Sequence, residues 1–239
     1  MPTSLVNGVQ LYWETGGSGE PVILVHGSWG DHHNWDAVAP GLRESFKLVT
    51  YDRRGHSRSE RPPGPGSVEE DAADIGALIE QMFQGPAHVV GNSFGAVIAL
   101  RLAARRRDLF RSMAVHEPPL WGLLEGQPDT QTALAQAQQR IAAVIDLLRS
   151  GDDRGGAELF METIAMGPGS WQLAPQALRD TFVFNAPTWL DECGEANALA
   201  FDLGRLSGFA APVLLSHGGQ SPPFFPAVVE RLVGALPHA

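Results

Sequence analysis

Only one cysteine, Cys193, occurs in 239 residues. That excludes an intrachain disulfide and suits a reducing compartment. Cations are also scarce: 17 Lys and Arg stand against 27 Asp and Glu, a formal net charge of -10. With no basic stripe, nucleic acid and anionic membrane surfaces are not expected partners. No apolar run approaches transmembrane length. The opening Met1-Pro2-Thr3-Ser4 lacks a basic region followed by an apolar stretch, so no secretion signal is expected. Together these absences point to a cytoplasmic protein. No internal repeat is visible. What remains is globular composition, 44% hydrophobic and 18% charged, with length enough for one good core.

Strand and helix patterns alternate along most of the chain. Val9–Glu14 alternates weakly, and Pro21–Val25 and Phe46–Tyr51 are continuous apolar runs bounded by turn residues. Such runs read as strands buried on both faces of a parallel sheet. A short helical pattern covers residues 35–42. Ser67-Val68-Glu69-Glu70 has the form of a capping box and opens a helix with Ala72, Ile75, Leu78, Ile79 and Met82 on one face. Further strands are expected at His88–Val90, Ser112–His116 and from Val213, and a last amphipathic helix at Phe224–Leu236. Residues 118–205 are helical in texture. They read as an insertion lying over the strand C-termini as a lid, between core segments 1–117 and 206–239. The fold class is therefore α/β, a mostly parallel sheet covered on both faces, with a helical cap insertion.

The chain is organised around Val89-Val90-Gly91-Asn92-Ser93-Phe94-Gly95-Ala96-Val97. A β-branched run stops at Gly91, turns, and becomes an Ala/Leu-rich helix. Gly-x-Ser-x-Gly between strand and helix places a serine on a strained bend with its hydroxyl pushed out of the sheet. A side chain at Gly91 or Gly95 would collide as strand and helix close on each other. The helix behind aims free N–H groups and a positive dipole end at the hydroxyl, which suits a nucleophile.

His26-Gly27 after one strand, Asp52-Arg53-Arg54-Gly55-His56-Ser57-Arg58-Ser59 after the next, the serine turn and the order of elements together resemble the α/β-hydrolase fold family. The resemblance implies Ser93 as nucleophile and backbone N–H donors at Ser28 and Phe94 as the oxyanion hole. It also implies substrate contacts at Trp29 and Trp121, and no cofactor. His26 is expected to brace its loop, because the family's base comes late in the chain. His32-His33 beside Asp31 is a poor metal site by spacing, and no metal is expected.

The family's acid usually follows the strand ending near His217. Here His217-Gly218-Gly219-Gln220-Ser221 has a serine at that place, and no Asp or Glu occurs between Asp202 and Glu230. A subgroup of the family carries the acid one strand earlier, which implies Glu117, stiffened by Pro118-Pro119; Ser221 is expected to be neutral to substitution. The family's base follows one more strand after the last helix, but the sequence reads Leu236-Pro237-His238-Ala239 where that strand would begin. His238 reads as a capping or exposed residue, and His116 and His217 lie beside strand tips. The expectation is a catalytic histidine, last strand and last helix beyond residue 239, so that the chain as it stands lacks its base. The reaction expected is hydrolysis of a small ester, lactone or related acyl compound. Carbon–carbon hydrolysis of a ring-cleavage product and ligand binding without turnover are the alternatives. A small-molecule substrate is the expected partner.

Overall fold

The computed structural model describes residues 2–236 and 238–239. Met1 and Pro237, named above at the two ends of the chain, lie outside the described residues. Among the described residues seven strands form one sheet in the order β1-β2-β4-β3-β5-β6-β7. They are β1 (Thr3–Val6), β2 (Val9–Gly16), β3 (Glu20–Val25), β4 (Phe46–Tyr51), β5 (Ala87–Asn92), β6 (Phe110–His116) and β7 (Val213–Ser216). The β1–β2 and β2–β4 pairs are antiparallel and the others parallel. β1 was not expected from composition. It pairs through an Asn7-Gly8 turn in which both residues have positive φ, 47° and 83°, the backbone that a two-residue hairpin needs.

The helices are α1 (Ala39–Arg43), α2 (Val68–Phe83), α3 (Phe94–Arg105), α4 (Pro128–Arg149), α5 (Asp153–Phe160), α6 (Ser170–Leu173), α7 (Gln176–Gly194) and α8 (Phe224–Ala235). The helical pattern at 35–42 divides into a 3-10 turn at His32–Trp35 and α1, with Pro40 in the first turn of α1. Ser67 caps α2 as expected, its side chain accepting from Glu70 N–H. Ile75, Leu78 and Ile79 of α2 and Ile98, Leu100 and Leu102 of α3 pack with Val89, Met113 and Val115 of the sheet, and α8 adds Phe224, Val228 and Leu232 to this core.

The opposite face is only half covered. Val22, Leu24 and Leu48 pack there under Trp35, Ala39 and Leu42. Over β5–β7 an open trough of about 470 Å³ remains, walled by Trp35, Val90, Ala114 and Leu214. Parallel strands are normally buried on both faces. Here α8, the helix after β7, joins the core on the α2–α3 side, which leaves Leu214 64% exposed.

The helices between β6 and β7 bury a second apolar cluster, with Val144, Leu148, Ala157, Met161, Trp171, Phe182, Ala186 and Trp189 around Trp29. Leu124, Leu134, Ala137, Ala198 and Leu206 belong instead to the main core. The parallel register aligns Val25 with Gly91, Asn92 with His116 and His116 with Ser216. The segments after β3, β5, β6 and β7 therefore leave the sheet at one edge, which brings residues 26–28, 93, 117 and 217–221 to the same end of the fold.

Candidate active site

Ser93 has φ 54° and ψ -121° between β5 and α3. A Cβ built on Gly91 would lie 2.4 Å from Gly95 O, and one on Gly95 would lie 2.2 Å from Val25 O, so both positions require glycine. Gly27 lies directly against the serine: its Cβ would come within 3.0 Å of Ser93 Cβ. Ser93 N–H donates to His116 O at 2.9 Å, which ties the turn to β6. Phe94 opens α3, and its N–H has no partner within the helix. Among the described residues the N–H of Ser28 likewise makes no hydrogen bond, so two free donors flank the serine turn.

Two loops buttress this edge. His26 Nε2 accepts from Arg53 N–H at 3.0 Å, which puts the ring proton on Nδ1 to donate to Gly27 O at 2.8 Å. Burial pushes its pKa down to about 3. It is a neutral brace, in line with the loop role read from the sequence. His56 is also buried and held well below the usual imidazole range by burial and by Arg53. Asp52 Oδ1 accepts from the backbone N–H and Nδ1 of His32, and Oδ2 accepts from Arg58 N–H. Burial pulls His32 down, but its bond to Asp52 and the charges of Asp52, Asp31 and Glu14 together outweigh that and raise it. Arg54 pairs with Asp74 and Glu70 on α2.

Asp31, His32 and Asp52 offer ligand atoms within 4.8 Å of one another. Asp31 accepts from His33 N–H and Ser57 Oγ, and His32 Nδ1 faces Asp52, so the cluster braces the loop.

Sequence reading missed the residues that α7 contributes. Asn185 is wholly buried. Its Nδ2 donates to Trp29 O and Gly30 O, and its Oδ1 accepts from Ser57 N–H at 2.8 Å. Glu192 Oε2 accepts from Ser28 Oγ and Oε1 accepts from Arg53 Nη2, each at 2.6 Å. Arg53 is also paired with Asp71 through Nε and Nη2. Burial pulls the guanidinium down, and the two carboxylates more than offset this and raise it. Burial holds Glu192 above the usual carboxylate range despite Arg53 and Ser28. The available signal was Asn185 alone, on a face of α7 that otherwise carries Phe182, Ala186 and Trp189 inward.

Glu117 follows β6 with φ 50°. Its Oε1 accepts from Gly218 N–H at 2.8 Å and from Ser221 Oγ. The serine at the family's usual acid position therefore touches Glu117 directly. His116 Nδ1 contacts Ser216 Oγ at 3.0 Å, and its Nε2 lies 3.9 Å from Glu117. His217 is exposed. Among the described residues no histidine hydrogen-bonds Ser93.

The two tryptophans are placed differently from expectation. Trp29 is fully buried, not at a mouth. Its ring stacks on Phe160 and Phe182 and tilts against Trp189, with centroids 4.9, 5.8 and 4.9 Å away. Its backbone has a positive φ of 66°. Trp121 packs edge-on against Phe224 at 5.4 Å, in the contact between the insertion and α8.

A strand–serine–helix turn at the edge of such a sheet is the architecture of a hydrolytic α/β enzyme. The family model for the alpha/beta hydrolase fold matches residues 20–239, and the chain belongs to that family. A hydrolase of Bacillus subtilis (strain 168), uncharacterized hydrolase YraK, is 39% identical over 139 residues, 57% of this chain and 49% of its own. A soluble epoxide hydrolase of Corynebacterium sp. (strain C12) is 30% identical over 112 residues, 47% of this chain and 39% of its own. The matched stretch spans about half or less of these curated relatives. An alpha/beta hydrolase structure from Sphaerobacter thermophilus DSM 20745 superposes with a TM-score of 0.79 at 28% identity, covering 100% of this chain and 90% of that one. Among the described residues no helix is long and apolar enough to cross a membrane.

Proposed function

We propose that the protein is a serine hydrolase of a small ester, lactone or related acyl compound, with residues 118–205 forming the cap over its substrate. The observation that carries this reading is the backbone of Ser93, φ 54° and ψ -121°, at the head of α3. In the proposed reaction Ser93 Oγ attacks the carbonyl carbon. The N–H groups of Ser28 and Phe94 receive the developing oxyanion. Glu117 orients the histidine that takes the serine proton. No cofactor or metal enters the scheme. The epoxide hydrolase among the relatives does not transfer its chemistry, because epoxide opening calls for a carboxylate nucleophile and position 93 is a serine.

The test is hydrolysis of 4-nitrophenyl esters by the full-length protein and its Glu117 and Ser221 variants. Glu117→Gln is expected to lose about 10⁴-fold in kcat. Ser221→Ala, which removes one donor to the Glu117 carboxylate, is expected to lose about tenfold. A Glu117→Gln variant of nearly full activity would remove Glu117 from the scheme.

A further inference from the structure

We propose that Glu192 is a positioning residue that sets the oxyanion loop from the insertion helix α7. The inference rests on the serine-hydrolase reading, because it takes the Ser28 N–H to be an oxyanion donor. An oxyanion donor has to keep its N–H free, so its loop must be held by other atoms. The loop 27–30 is held in that way throughout. Gly27 O accepts from His26 Nδ1 and, at 3.4 Å, from Arg53 Nη1. Trp29 O and Gly30 O accept from Asn185. For Ser28 the hydrogen bond seen is the one from its Oγ to Glu192, at 2.6 Å.

The same carboxylate reaches the other side of the site through Arg53, whose guanidinium lies 4.9 Å from the centre of the Phe94 ring. Charge balance does not require it. Arg53 already has Asp71 as a two-point partner, so Glu192 is a third charge in a site where Arg53 is 1% and Glu192 10% exposed. A buried acid beyond neutrality is unfavourable unless its hydrogen bonds are good. Both oxygens of Glu192 are engaged at 2.6 Å, one on the loop and one on Arg53. Because Glu192 belongs to α7, the Ser28 end of the hole is set only when that helix is seated on the core.

The test combines a double-mutant cycle with amide hydrogen exchange. Ser28→Ala and Glu192→Ala are each expected to lower kcat for a 4-nitrophenyl ester about tenfold, with KM within about threefold. The double variant should be no worse than the worse single one. Glu192→Gln can still accept from Ser28 and should stay within about threefold of the parent kcat. Losses that multiply in the double variant would overturn the proposal. Hydrogen exchange reads the loop whether or not the protein turns over substrate. Amides 31–33, which donate to Asn34, Asp52 and Asp31 at the end of the loop, should exchange about tenfold faster in Glu192→Ala and in Ser28→Ala, with α3 unchanged. Unchanged exchange in both variants overturns the proposal. Faster exchange in a protein that hydrolyses no ester keeps Glu192 as the holder of the loop while the hydrolase reading fails.

Discussion

Three residues without glycine's freedom, Trp29, Ser93 and Glu117, have left-handed φ values of 66°, 54° and 50°. Each stands one to four residues after the end of a parallel strand, β3, β5 or β6. Such a backbone costs about 1–3 kcal/mol per residue and persists where surrounding structure over-determines it. At Ser93 that structure is the steric fit of Gly91 and Gly95 and the bond to His116 O. Ser93→Gly should therefore raise the stability in denaturant unfolding by about 1 kcal/mol, since glycine accepts the angle without penalty. A less stable Ser93→Gly protein would mean that the turn is not strained. The elbow was legible because it is written in five adjacent residues whose steric demands are local. Glu117 was reached only through the family resemblance, in which a subgroup carries the acid one strand earlier when the turn after β7 has none. Its bond to Ser221 joins residues 104 positions apart and leaves no local mark.

At the scale of elements, α7 joins the insertion to the catalytic edge. Along one face it presents Asn185 to Trp29 O and Gly30 O, Thr188 to Gly55 O and Glu192 to Ser28 and Arg53. Between these polar points Trp29 enters the insertion's apolar cluster, so a residue of the β3 loop supplies part of the insertion's core. Trp29→Ala should lower stability by about 3–5 kcal/mol in denaturant unfolding. A loss below about 1 kcal/mol would contradict the packing described. The order of strands and helices could be read from apolar runs and caps, because those signals lie within ten or twenty residues. β1 escaped, although Asn7-Gly8 between alternating residues marks a hairpin. The role of α7 escaped as well, since Glu192 meets Ser28 across 164 positions and the helix alone carries no mark of that contact.

Across the whole molecule, buried charge and buried neutral imidazole share one layer beneath the sheet edge. His26 is neutral in the fold, with a pKa near 3 against 6.5 for a free imidazole. Between those values the unfolded chain binds the extra proton, so stability falls as pH falls, by about 1.4 kcal/mol per pH unit for one such group. Glu192 and Asp74, raised by burial, contribute with the opposite sign. The His26 share is isolated by comparing the protein with His26→Asn. The variant should be less stable at pH 7 and lose less stability from pH 6.5 to 4.5, and parallel stability curves would contradict a buried neutral histidine.

The central claim is that Ser93 is a nucleophile. It is tested most directly by treating the full-length protein with a fluorophosphonate and locating the adduct by mass spectrometry. One adduct on Ser93, absent in Ser93→Ala, is the predicted result. An unlabelled protein, or an adduct on another residue with Ser93 untouched, would contradict it.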